Sequence, residues 1–133
     1  MGACYAVTCK LKFNIQDEPK VLAKIKEQYQ KDLGNGIGFC LERYSFAKPT
    51  SVEDFMALYF VEHQKMYEFD RTVLKNGNVI YCAKSGFDAG YGWEMVMEKF
   101  FMNLEGLLMR GSILDMYPDN DHVTYRVKEG KVY

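Results

Sequence analysis

Strict alternation of apolar and other residues marks the first element of the chain. From Tyr5 to Phe13 every second residue is apolar or a cysteine, and the residues between them are Ala6, Thr8, Lys10 and Lys12. A period of two places successive side chains on opposite faces of a β-strand. This pattern predicts a strand with one buried face and one solvated face.

Two segments with helical spacing follow. Between Asp17 and Gly34 the apolar residues recur every three or four positions, and Glu18 and Pro19 suit a first helical turn. After Pro49, a helix is predicted in which Thr50 or Ser51 is the N-cap and Glu53 or Asp54 is its reciprocal partner. The buried stripe of this second helix is predicted to be Val52, Phe55, Met56, Tyr59 and Phe60.

A third helix is predicted from Trp93 to Met109, where apolar residues cover one broad face. These residues are Trp93, Val96, Met97, Phe100, Phe101, Leu104, Leu107 and Leu108. Arg110 and Gly111 suit its end, because a glycine often follows the last helical turn.

Turn residues predict two hairpins. Residues 68–74 and 79–86 are β-prone and flank an Asn76-Gly77 pair, which strongly favours a tight hairpin turn. Residues 112–117 and 122–127 flank a second turn at 118–121, and a glycine-rich stretch predicts a further strand within 34–47. The order β-α-β-α-β-β-α-β-β predicts one α+β domain over residues 1–133, with helices covering one face of a mainly antiparallel sheet.

The composition narrows the classes of protein to which this chain is expected to belong. The 133 residues are 48% hydrophobic and 26% charged, with a formal net charge of −1, which is typical of a globular domain and gives no reason to expect nucleic acid as a partner. No signal-like start and no apolar run of membrane-spanning length occurs, so we expect a cytoplasmic protein without a membrane partner. The four cysteines lack C-x-x-C spacing and are expected to be reduced.

The candidate site is the segment from Gly86 to Glu94, in which three glycines and three aromatic residues share nine positions. Glycines allow close backbone approach, and a helix N-terminus attracts anions. The candidate contact residues are Phe87, Asp88, Tyr91, Trp93 and Glu94. The alternative is structural: Asp88 caps the helix, and the rings pack beneath the segment.

No short catalytic or metal-binding signature is present. Neither phosphate-binding glycine motif occurs, nor do the nucleophile-elbow and zinc-protease motifs. His63 lies beside the second helix and His122 in an acidic turn that lacks the glycine of a calcium loop. We therefore predict no catalytic residues, no metal ligands and no cofactor.

Three functional hypotheses remain. The first is a non-enzymatic binding or regulatory domain that contacts a protein partner, or a second copy of itself, through the Gly86–Glu94 segment or the second helix. The helix is a candidate because its apolar residues exceed one contact stripe: Met56, Leu58, Tyr59, Phe60 and Val61. The alternatives are a pocket for a small molecule, phosphorylated or not, at the same segment, and an enzyme without a recognisable motif that uses His63 and a carboxylate.

Overall fold

A computed structural model describes residues 2–34, 51–60, 66–90, 93–118, 123–128 and 131–133. Its helices are α1 (Glu18–Leu33), α2 (Val52–Phe60) and α3 (Trp93–Met102). Its strands are β1 (Gly2–Asn14), β2 (Met66–Val73), β3 (Asn78–Gly90), β4 (Ile113–Pro118), β5 (Val123–Lys128) and β6 (Lys131–Val132). The predicted α+β class with a mainly antiparallel sheet is confirmed.

The six strands form one sheet in the order β2-β3-β1-β4-β5-β6, and every pairing is antiparallel. β1 lies in the middle and pairs along its whole length with β3, from Gly2 opposite Gly90 to Asn14 opposite Asn78. The sheet therefore has a Gly2 end and an Asn14 end. The Asn76-Gly77 turn joins β2 to β3 as predicted, with Gly77 at a φ of 87° that favours glycine.

All three helices cover the same face of this sheet. The Tyr81 hydroxyl donates a hydrogen bond to Glu18 of α1, and Ser85 Oγ donates one to the Phe60 carbonyl of α2. Tyr125 forms a side-chain hydrogen bond with Glu98 of α3. In the register these three residues align with Leu11, Val7 and Leu114, all of which are buried. The alternation in β1 thus separates a core face from an open face, as its sequence predicts.

The core lies between this face and the helices. Its largest fully buried side chains come from the sheet and from all three helices, so each helix depends on the others for burial. Aromatic rings pack together in this core. The centroid of the Phe100 ring lies 4.7 Å from the centroid of the Tyr59 ring and 5.1 Å from that of the Phe60 ring.

Capping explains where the first two helices begin. Pro19 occupies the first turn of α1, where a missing N–H costs nothing. At α2 the Asp54 N–H donates to Ser51 Oγ at 3.1 Å, and the Ser51 N–H donates to Asp54 Oδ2 at 3.2 Å. This reciprocal pair is the capping arrangement that the sequence predicts.

The prediction that the third helix continues to Met109 is wrong, because α3 ends at Met102. The chain then tightens into turns, in which Leu104 N–H donates to the Phe101 carbonyl and Gly106 adopts a φ of 96°. Leu104 and Leu108 are nevertheless buried. Their apolar spacing therefore reflects turns that pack on the same core.

Several predictions lie outside the described residues: the strand within 34–47 beyond Gly34, both histidines, and Tyr91. The short strand β6 has no counterpart in the predicted order. Among the described residues, no helix has the length and apolarity that crossing a membrane requires.

Candidate functional site

The segment from Gly86 to Glu94 is mainly regular structure. β3 continues to Gly90 and α3 begins at Trp93, so only residues 91 and 92 lie between them. Phe87 pairs with Tyr5 and Asp88 with Cys4 in the β1–β3 register. The candidate segment thus includes the last part of a strand, and the side chains of Phe87 and Asp88 lie outside the described part of the chain.

Trp93 points into the core. Trp93 is only 5% exposed, and its Nε1–H donates a hydrogen bond to the Tyr59 carbonyl at 2.8 Å. That carbonyl lies in the last turn of α2, where backbone acceptors have no partner within the helix. Trp93 therefore links α3 to the end of α2, which supports the structural alternative for this residue.

Glu94 follows in the first turn of α3 and is half-buried. A carboxylate at this position interacts favourably with the partial positive charge of a helix N-terminus. Glu94 also has an interaction partner in the structure.

Most described apolar side chains of α2 are buried within this chain, and Val61 lies outside the described residues. Met56, Tyr59 and Phe60 have no measurable exposure, and Leu58 is half-buried. The Phe60 carbonyl also accepts a hydrogen bond of 2.6 Å from Ser85 Oγ. The described residues of α2 therefore offer little apolar surface to a partner.

A buried carboxylate joins α1 to α2. Asp32 is only 5% exposed, and its two oxygens accept hydrogen bonds from Tyr59 Oη at 2.5 Å and from Gln28 Nε2 at 3.0 Å. Burial, followed by the hydrogen bond to Asp32, raises the pKa of Tyr59 well above its usual value. The hydroxyl therefore stays protonated, and the pair acts as a packing contact between helices.

A second polar cluster ties the start of α1 to the sheet. Glu18 accepts two hydrogen bonds from Arg71, at 2.9 and 3.0 Å, and a third from the Tyr81 hydroxyl. The Arg71 hydrogen bond is the main cause of a lowered Glu18 pKa, while burial and Glu18 together raise the pKa of Tyr81 to about 12. Every strong donor here has an acceptor, so the cluster is well suited to hold α1 in place.

The described residues give little support for a reactive cysteine or a metal-binding site. Cys9 is fully buried, and burial raises the pKa of its thiol, which disfavours the reactive thiolate. Cys82 is half-buried on the opposite face of the sheet, opposite Lys10. Within the described ranges, no three His, Cys, Asp or Glu side chains are placed to hold a metal ion together.

The open face of the sheet is polar. Its central positions include Thr8, Lys10 and Lys12 on β1, with Lys84 and Asp115 on the neighbouring strands. Lys84 lies opposite Glu68, which is a favourable cross-strand charge pair. A mixture of both charges with threonine is typical of a sheet face that contacts water.

Exposed apolar side chains gather at the Asn14 end of the sheet. Six large apolar side chains of the described residues are exposed, and Ile15, Val73, Met102 and Met109 are four of them, at 38 to 47% exposure. We call these four residues the Asn14-end surface. Met95, 58% exposed in the first turn of α3, lies towards the Gly2 end.

Backbone hydrogen bonds place Ile15 and Met109 at this end, and the strand register places Val73 there. Ile15 N–H donates to the Gly77 carbonyl at 2.9 Å, next to the turn that follows Val73. Met109 N–H donates to the Lys12 carbonyl at 2.8 Å, near the end of β1. Met102 closes α3, which runs from the Gly2 end towards the Asn14 end. The surface thus draws on four separate parts of the chain.

Comparison of the chain with models of known protein families, with curated proteins and with solved structures finds no match. The geometry of the described residues is therefore the basis for a functional proposal. Little in the sequence indicates the Asn14-end surface, because Ile15 and Val73 fall at the ends of strands and each looks like a single exposed residue.

Proposed function

We propose that this chain is a small binding domain without a catalytic step of its own, and that it contacts another protein through the Asn14-end surface. The proposal is supported by the exposure of Ile15, Val73, Met102 and Met109. The strand register and the backbone hydrogen bonds place their chain segments towards the same end of the sheet. Single exposed apolar residues are ordinary, whereas several at one place favour a contact surface.

The chemistry of the four side chains supports this choice. Methionine has three rotatable bonds and a polarisable sulfur, so Met102 and Met109 can adapt to different apolar partners. Ile15 and Val73 are stiff and lie on either side of the β2–β3 turn, which gives the surface a fixed part. Fixed and adaptable apolar groups together suit recognition of a protein side chain.

The test is site-specific photo-crosslinking. Benzoylphenylalanine is introduced singly at positions 73, 102, 95 and 91, and each purified domain is irradiated in an extract of the source cells. Position 95 is the matched control, because Met95 and Met102 lie on the same outward side of α3 and are both exposed. Position 91 tests the predicted Gly86–Glu94 contact.

Discrete adducts from positions 73 and 102, abolished by excess unlabelled domain and absent from position 95, support the proposal. An adduct with a second copy of the chain identifies self-association through the same surface. Adducts from position 91 alone, equal adducts from position 95, or no adduct at any position contradict it.

A further inference from the structure

Cationic residues lie close in sequence to the residues of the Asn14-end surface. Lys75 follows Val73 by two residues, Lys99 precedes Met102 by one helical turn, and Arg110 is the neighbour of Met109; all three are exposed. Two further lysines lie close by. Lys12 provides the carbonyl that accepts from Met109, and Lys131 lies in β6.

Three acidic residues near this end have partners in the structure, although Glu105 keeps its negative charge because its partner is a backbone N–H. Asp17 lies 3.7 Å from the Lys20 ammonium, and Glu18 is held by Arg71. Glu105 accepts a hydrogen bond of 2.7 Å from the Val132 N–H.

By contrast, none of the five cations forms an ion pair with another described residue. Because the whole chain has a net charge of −1, this positive excess is local to one end.

We propose that the partner segment is an acidic, amphipathic part of a protein, and this inference rests on the proposed function. Its apolar side chains would pack on Met102, Met109, Ile15 and Val73, while its carboxylates face Lys75, Lys99 and Arg110. Apolar contacts supply most of the binding free energy, and complementary charges speed association and select the partner.

The same features favour a protein over a lipid surface. A peripheral membrane anchor buries its apolar groups about 5–10 Å into the lipid. The four residues here are 38 to 47% exposed, so more than half of the surface of each is already covered by the protein. Their side chains are therefore better placed to contact the side chains of another protein than to insert into lipid. Among the described residues, Trp93, Phe100 and Phe101 are buried, so these rings do not provide the aromatic anchors of a membrane contact.

The test uses a fluorescently labelled synthetic helix of about 16 residues, with leucine at one helical face and glutamate elsewhere. A matched peptide carries lysine in place of every glutamate. Binding to the full chain is measured by fluorescence anisotropy at low and high salt. The variants are Lys99→Glu/Arg110→Glu and, as a control, Lys26→Glu, which reverses an exposed lysine of α1.

The expected result is binding of the glutamate peptide that salt weakens, with no binding of the lysine peptide. Lys99→Glu/Arg110→Glu should weaken binding about tenfold or more, and Lys26→Glu less than about twofold. Far-UV circular dichroism confirms that both variants remain folded.

Equal binding of both peptides, an unaffected double variant, or binding only to phosphatidylserine vesicles would overturn the inference. Each of these outcomes leaves the photo-crosslinking result unchanged. A failure of the partner chemistry is therefore distinguishable from a failure of the proposed function.

Discussion

Trp93 provides the sharpest test of how the helices are held together. In Trp93→Phe the ring remains apolar, but the N–H that donates to the Tyr59 carbonyl is lost. Leaving that buried acceptor unpaired costs about 1–3 kcal/mol. Removing part of a side chain that is only 5% exposed adds about 1–2 kcal/mol for lost contacts and a small cavity.

The free energy of unfolding should therefore fall by about 3 kcal/mol, with Tm lower by about 10 °C. The measurement is urea unfolding followed by far-UV circular dichroism, because the substitution removes the only tryptophan of the chain. Met95→Ala, in the same turn but exposed, is the control and should change stability by less than about 0.5 kcal/mol. A loss below about 1 kcal/mol for Trp93→Phe would refute the buried, hydrogen-bonded position of the indole.

Three further predictions concern stability. Tyr59→Phe should cost about 2 kcal/mol because it deprives a buried carboxylate of a donor. The raised pKa of Tyr59 also means that wild-type stability falls above about pH 10, and an unchanged alkaline titration in the variant would contradict this. Glu18→Gln should cost about 0.5–1 kcal/mol at pH 7, since its Arg71 partner is partly exposed. Because the folded-state pKa of Glu18 is lowered, this difference should shrink as the pH falls below the unfolded value of about 4.3 and be lost below the folded-state pKa; a constant difference would refute it. Gly111→Ala, at a φ of 107°, should cost about 1–2 kcal/mol in urea unfolding, whereas Gly34→Ala, at a φ of −84°, should be nearly neutral; equal effects would be inconsistent with the backbone described.

Local chemistry in the sequence was a good guide to the elements. The alternation in β1, the Ser51–Asp54 cap and the Asn76-Gly77 turn each depend on residues a few positions apart. For such features a pattern in the sequence is close to a physical cause, because the partners are fixed by chain geometry.

Trp93 shows where one pattern was outweighed by another. Its place among glycines and aromatics suggested an exposed contact residue, but it also falls on the buried stripe of α3 with Met97, Phe100 and Phe101. Burial of a large ring is the stronger effect, since it removes much apolar area from water. Helical periodicity was therefore the better signal at this position.

The end of α3 and the Asn14-end surface were harder to predict from the sequence. Leu104 and Leu108 keep helical spacing although Gly106 turns the chain, so periodicity alone could not locate the end at Met102. The surface depends on strand order, because β1, β2 and the segment after α3 meet only in the folded sheet. Such long-range juxtaposition leaves no local pattern in the sequence.

The most direct test of the binding surface is an NMR spectrum of the domain with ¹³C-labelled methionine methyl groups. The partner captured by photo-crosslinking is added, and the signals are assigned by single Met→Leu substitutions. We expect the Met102 and Met109 signals to shift or broaden while those of exposed Met95 and buried Met97 stay unchanged. A shift at Met95 with no change at Met102 and Met109 would contradict it.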